Sequence, residues 1–428
     1  MAVRTVAVPR VAQPSEALRA AWRAVWTSRL VVMLAGVFGV LSFGRNLGAA
    51  SVYDPIALTR PFGYFGNLLV SPLARWDSVW YLTIARSGYG HGGQAARTTF
   101  FPLYPLMVRG LGVVIRSDLI AGVLISLVCF VVALVLLYRL VELELDAERA
   151  RLCVTLIAFF PMAYYFSAVY TESLFLALSV GCVYAARTGR WAEAGLLGLL
   201  AAASRNTGVF LVVPIVLLYL YGPRTDRAPG PRRRWWLPAY RVEATLAWAL
   251  LVPLGMGAYL LFLALSTHHG LTPFTAEKIW YHHFAGPLGG VWDGTVAAWD
   301  GLRQLIHGPS STVIYFKAAG GDPIKVAGQN LMLFGFLVVG ALAFLGAVRR
   351  LPVAYWAYAL VALGVPLSYP VTPLPLSSLP RYEVVVFPLF MWAADWVHRR
   401  RIASLVLPTL AVLLGLFTIE FATWRFVS

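Results

Sequence analysis

Long apolar runs, broken by short polar clusters, follow one another along the whole chain. A membrane-crossing helix needs about 20 apolar residues, and the runs fall at about residues 28–47, 118–138, 152–168, 173–186, 191–203, 208–221, 244–265, 329–348, 353–369, 382–397 and 402–421. This pattern predicts an all-α polytopic integral membrane protein, a single domain over residues 1–428 with about 11 transmembrane helices. One stretch departs from it. Between Ser71 and Tyr89, Trp76, Trp80 and Ile84 recur at helical spacing, while Asp77, Tyr81 and Gly88 fall on a neighbouring face. A short amphipathic helix lying at the membrane surface is expected there, with Asp77 at its start, where the helix dipole favours an ionised carboxylate.

Composition agrees with the pattern. With 59% hydrophobic and 13% charged residues and a mean hydropathy of +0.72, the chain is excluded from the soluble globular class. The net charge of +16 is scattered in small clusters between apolar runs, which marks topology and not a nucleic-acid-binding face. Arg4, Arg10, Arg19, Arg23 and Arg29 place residues 1–29 in the cytoplasm, and the leading polar segment is too long for a secretory signal, so the first run reads as an uncleaved span. Residues 48–117 then form a long first extracytoplasmic loop carrying amphipathic helices. Residues 222–243, with Arg224, Arg227 and Arg232 to Arg234, form a basic cytoplasmic loop. Residues 266–328 form a second extracytoplasmic loop, holding His268, His269, Lys278, His282, His283, Lys317 and Lys325. Cys129, Cys153 and Cys182 lie inside apolar runs without metal-ligand spacing and read as small core side chains.

This topology gathers Asp77, Glu172, Arg205, Lys278, the histidines and Arg381 on one membrane face. Asp77 is a candidate base, with helix N-cap or partner of Arg75 as its bland alternatives. Glu172 opens an apolar run; a carboxylate there costs a few kcal/mol unless paired, and Arg205 is its expected partner. Arg381 follows the Pro-rich TPLPLSSLPR, where an arginine can grip a lipid-linked phosphate bidentately or simply snorkel to the interface. The His268-His269 and His282-His283 pairs lack a companion carboxylate at helical spacing, so no metal site is assigned. No phosphate-cradling glycine loop or nucleophile elbow is present.

Five segments, WDSVWYLTIARSGY, FFPLYPLMVR, YYFSAVYTESLFLALSVG, SRNTGVFLVVP and SLPRYEVVVFPLF, run in order from Trp76 to Phe390. Together they resemble the ordered motifs of the PIG-V type mannosyltransferases, the family that includes eukaryotic GPI mannosyltransferase 2 and bacterial relatives. The resemblance implies a GT-C fold glycosyltransferase in which an acidic residue of the first external loop meets a polyprenyl-phosphate sugar. Asp77 matches that acid. Glu172, Arg205, Asn206, Pro380, Arg381 and Tyr382 match other motif positions. The reaction expected on that basis, as a hypothesis of our own, is a single inverting displacement, with Asp77 as general base and Arg381, Tyr382, Arg205 and Lys278 at the donor phosphate and lipid. Trp76, Trp80, Tyr81, Tyr164 and Tyr165 are expected as sugar- and lipid-facing walls or as an interfacial aromatic belt. Glu172, Asn206, His282 and His283 are expected near substrate, the histidines in a tract, AEKIWYHHFAGPLGGVW, that resembles the family only loosely.

A lipid-phosphate leaving group needs no metal, though a divalent cation is compatible with it. Richness in arginine and alanine points to a GC-rich bacterial source, hence to a plasma (inner) membrane location and a cell-envelope lipid, glycan or protein as acceptor. Two other classes fit the composition: a polytopic transporter or lipid flippase, and a non-catalytic membrane subunit of a glycosylation complex. A transporter would gather its charges near the bilayer midplane.

Overall fold

The computed structural model describes residues 14–90, 95–230, 237–308 and 322–425; Arg4, Arg10, Arg232 to Arg234 and Lys317 lie outside them. The described residues are helical without a strand, apart from one isolated bridge between His282 and Val371. The first run begins earlier than its apolar residues suggest, as α1 (Pro14–Phe43). The first loop folds into α2 (Leu47–Tyr53), α3 (Tyr64–Leu69), α4 (Ser78–Ser87), α5 (Ala95–Thr98) and α6 (Leu103–Ile115). Then follow α7 (Asp118–Glu144), capped by the Ser117 hydroxyl, and α8 (Ala147–Phe159), capped by the Asp146 carboxylate. The middle of the chain supplies α9 (Glu172–Arg187), α10 (Trp191–Ser204), α11 (Val212–Tyr221) and α12 (Leu251–Thr267). The second loop contains α13 (Thr272–Ala276) and α14 (Gly289–His307). The rest is α15 (Pro323–Arg350), α16 (Val353–Gly364), α17 (Leu379–Glu383), α18 (Phe387–Arg400) and α19 (Ala403–Ala422).

Among the described residues five helical stretches are long and apolar enough to cross a membrane: α1, α7, Ala244–Thr267, α15 and α19. Helices in the other runs are shorter, and α9 shows why length alone misleads. Every residue of α9 except Tyr184 is buried. It is apolar all round because protein surrounds it, chiefly α7 and α10.

The third run departs from the expected span. α8 stops at Phe159, before Pro161, and residues 160–171 continue as a buried segment with a single 3-10 turn, Ala163–Phe166. Non-helical backbone at this depth needs its polar groups satisfied by side chains. Arg29 of α1 does much of this, donating to Ala163 O at 2.7 Å, Ser167 Oγ at 2.8 Å and Ala158 O at 3.1 Å. Ser126 donates to Ala168 O at 2.7 Å and Ser173 to Phe166 O at 2.9 Å. A side chain at Gly122 would come within 2.7 Å of Val169 Cγ1, so this glycine lets α7 lie against the segment. The tenth run also shifts: Tyr382 and Glu383 belong to the short α17, and α18 starts at Phe387.

Candidate active site

Asp77 and Arg381 each follow a residue in the left-handed region: Trp76 at φ 52° and Ser378 at φ 65°. Such conformations cost L residues roughly 1–2 kcal/mol and persist where the surroundings enforce them. Trp76 is held by its ring, packed on Tyr53 at 4.8 Å and Trp424 at 5.5 Å between centroids. Arg75, 1% exposed, turns away from Asp77. Its guanidinium donates to the carbonyls of Ser71, of Ala74 at 2.9 Å and of Ala422 at 2.9 Å, and lies over the Trp424 ring. The Asp77 side chain caps no backbone N–H of α4. Instead its own N–H donates to Tyr170 Oη at 3.1 Å, and that hydroxyl donates to Arg75 O at 3.1 Å.

The Asp77 carboxylate is thereby turned toward the end of α9. Its Oδ2 accepts from Arg381 Nη1, and Arg381 Nε donates to Glu172 Oε1. Glu172 Oε1 accepts a second bond from Arg205 Nη1 at 3.1 Å. Two carboxylates and two guanidiniums thus alternate in one charge-balanced chain. The Glu172 side chain is 0% exposed, Arg205 10%, Arg381 14% and Asp77 28%. Burial works against the Arg381 charge, but Glu172 and Asp77 outweigh it and raise its pKa. Its guanidinium also stacks over Tyr170 at 4.7 Å and Tyr165 at 5.4 Å, and that of Arg205 over Tyr382 at 4.8 Å. Tyr81 Oη lies 3.4 Å from Thr171 Oγ1, and burial pushes its pKa up to about 12, so the phenol is neutral. α4 is therefore no surface helix: Tyr81, Leu82, Ile84 and Ala85 are all buried in protein. Among the described residues Asp77 Oδ1 takes no hydrogen bond. Chemically, this end of the network offers an oriented hydrogen-bond acceptor within reach of solvent.

The other expected residues divide. Trp80 stacks on Phe100 at 5.8 Å and meets Trp280 edge-on at 5.8 Å, which draws the 3-10 turn Glu277–Trp280 of the second loop to α4. Lys278 sits on that turn, exposed, in no ion pair among the described residues. Tyr164 is buried against Tyr165 and Phe421. Asn206 turns to its own neighbour, accepting from Thr207 N at 2.8 Å. His282 Nδ1 lies 2.8 Å from Tyr369 O and its Nε2 3.7 Å from Glu277, while His283 bonds through its backbone to Pro370 O and exposes its ring. Among the described residues no three of His, Cys, Asp and Glu come together as a metal set.

Tyr170 and Thr171 were not singled out by the sequence, although they stand just before Glu172, and Arg75, offered as a partner for Asp77, binds backbone carbonyls instead. Tyr53, Trp280 and Trp424 carried no signal at all, since only the fold brings them to the site.

Residues 24–219, which hold Asp77, Glu172 and Arg205, match the family model Mannosyltransferase (PIG-V). GPI alpha-1,6-mannosyltransferase 2 of Mus musculus is 34% identical over 152 residues, 33% of this chain and 30% of its own length. The Rattus norvegicus protein of the same name is 33% identical over 197 residues, 43% and 39% of the two chains. GPI mannosyltransferase 2 of Cryptococcus neoformans is 27% identical over 171 residues, 36% and 40%. The match thus spans well under half the length of these relatives. Among solved structures, the Archaeoglobus fulgidus oligosaccharyltransferase with zinc and sulfate overlays 93% of this chain and 53% of its own at 13% identity and a TM-score of 0.43. The family match encloses three of the four residues of the charged chain, and the three mannosyltransferases align to part of the sequence, so this region of the protein is similar to the PIG-V mannosyltransferases.

Proposed function

We propose that this protein is a GT-C type glycosyltransferase of the plasma (inner) membrane that moves mannose, or a similar hexose, from a polyprenyl-phosphate donor to a hydroxyl of a lipid, glycan or protein acceptor, on the extracytoplasmic face. The observation that carries this reading is the alternating chain Arg205, Glu172, Arg381, Asp77, buried at one end and solvent-reaching at Asp77. In the proposed step an acceptor oxygen forms a bond to the anomeric carbon while its proton passes to Asp77. The bond from that carbon to the phosphate oxygen breaks, and the electron pair leaves with the lipid phosphate, inverting the centre. Arg381 is a positioning residue in this scheme: with Glu172 behind it, it fixes the direction of the Asp77 carboxylate, which takes the proton as the hydroxyl acidifies on bond formation. Trp76 and Trp80, both partly exposed, supply flat apolar surface beside that carboxylate, and the buried Tyr81 backs them.

A transporter gathers charge at the midplane of its bundle. Here the charges stand at helix ends, before α4, at the start of α9 and just past α10, which favours the transferase. The test is to incubate the purified chain in proteoliposomes with radiolabelled polyprenyl-phosphate mannose and envelope lipids extracted from bacteria. Label transferred to an acceptor is the expected result. Label moved across the bilayer but still on the donor would make the chain a flippase, and neither outcome would leave a non-catalytic subunit.

A further inference from the structure

Both arginines of the ion-pair chain are committed to carboxylates, so the cations available for a phosphate lie elsewhere. Arg45 and Arg60 stand out: among the described residues neither side chain makes an ion pair or hydrogen bond, and Arg60 is exposed and Arg45 half-buried. One knot of backbone bonds holds them near Arg75. Asn46, next to Arg45, donates its N–H to Thr423 O at 2.9 Å, beside the Ala422 carbonyl that Arg75 binds. Thr59, next to Arg60, accepts from Ser71 Oγ at 2.6 Å, and Arg75 binds the Ser71 carbonyl. Arg75 feels the charge of both Arg45 and Arg60, and Arg45 that of Arg60. Asp54 offsets part of the charge at Arg75, and among the described residues no carboxylate forms an ion pair with Arg45 or Arg60. Asp54 spends both oxygens on Leu58 N, Thr59 N and Thr59 Oγ1, and Glu420 sits beside Lys325 and Arg425.

Position adds a second argument. Arg45 follows the end of α1 and Thr423 the end of α19, both long enough to cross a bilayer, so the patch lies where lipid phosphates lie. It is joined to Asp77 by the rings of Trp424, Trp76 and Tyr53, and Tyr53 is close enough to Asp77 to feel its charge. We infer that Arg45 and Arg60 form a binding site for a phosphate carried on a membrane lipid, and that the lipid is the sugar donor, its hexose lying along the Tyr53–Trp76 wall toward Asp77. Guanidinium forks match phosphate oxygens in pairs, and an anion between the two arginines removes the repulsion between them. Only the identity of the lipid rests on the proposed transferase activity.

The experiment is binding to the full chain in neutral-lipid nanodiscs, read by native mass spectrometry, with polyprenyl phosphate, unphosphorylated polyprenol and phosphatidylglycerol as probes. Arg45→Gln and Arg60→Gln are each expected to weaken polyprenyl phosphate about tenfold and the double variant more, with polyprenol unchanged and Arg→Lys variants intermediate. A double variant that keeps wild-type affinity, or that loses polyprenol equally, overturns the site. Phosphatidylglycerol competing as well as polyprenyl phosphate overturns the donor assignment and leaves an anionic headgroup site. Because no sugar is moved in this assay, a chain that binds the phosphate here yet transfers no mannose refutes the proposed activity and not the phosphate site.

Discussion

The two ends of α9 carry ion pairs made from the same kinds of side chain and put to different use. At its C-terminus Arg187 Nε lies 2.5 Å from Glu144 Oε1, which also accepts from Tyr355 Oη at 2.8 Å; the two charged side chains are 10% and 6% exposed. Nearby, Asp395 bridges Arg149 and Arg399, each at 2.9 Å. The first of these groups is buried and ties α7, α9 and α16 together, and the second joins α8 to α18. At the N-terminus the chain from Arg205 through Glu172 and Arg381 runs outward and finishes on Asp77. Charge pairing alone therefore does not mark a reactive site. The distinguishing feature is a buried interior that fixes the geometry of one carboxylate left within reach of solvent.

Asp77→Asn should separate the two ends most sharply. It keeps volume and removes the base, so transfer in the proteoliposome assay should fall roughly 10²–10⁴-fold while elution from a sizing column in detergent is unchanged. Near-normal transfer would make the Asp77 end a second structural clasp. Arg381→Gln comes next: it strips Asp77 of its cation and leaves buried Glu172 with Arg205 alone. Breaking a buried pair costs about 3–5 kcal/mol, so the unfolding midpoint should drop together with transfer, and Arg381→Lys should recover stability only in part because an ammonium cannot bridge two carboxylates in plane. Arg187→Gln belongs to the same class of destabilisation, about 3 kcal/mol, yet transfer per folded molecule should stay at the wild-type level. A loss of transfer there would mean that the ends communicate.

The smallest effect is expected in acid. Burial works against the Asp146 charge, but the backbone N–H and guanidinium of Arg149 outweigh it and hold the pKa below its usual 3.8. Its share of stability is thus present at neutral pH and lost as pH falls through that lowered value. Asp146→Asn should flatten the stability curve below about pH 4, in melts taken across that range, without touching transfer.

Asp77, Glu172 and Arg205 could be read from the chain because a charge beside apolar residues is costly and so announces itself. The Glu172–Arg205 pair followed from the same reasoning. That Arg381 touches both carboxylates could not be read, since α17 reaches Asp77 from 304 positions away and nothing local encodes the docking. The buried segment 160–171 was missed for a different reason: FFPMAYYFSAVY is as apolar as a helix, and Arg29, Ser126 and Ser173, which satisfy the carbonyls of Ala163, Ala168 and Phe166 from other elements, explain why it need not be one. Conversely, the surface position expected for α4 failed because Trp80 and Ile84 face other rings and helices instead of lipid.

Arg75 and Asn46 find their acceptors on Ala422 and Thr423, and Trp76 leans on Trp424. The loop that carries Asp77 is therefore braced by residues the ribosome makes more than three hundred codons later. During synthesis the loop that carries Asp77 has no keystone until α19 is made, so a half-made chain lacks the contacts that brace this acid.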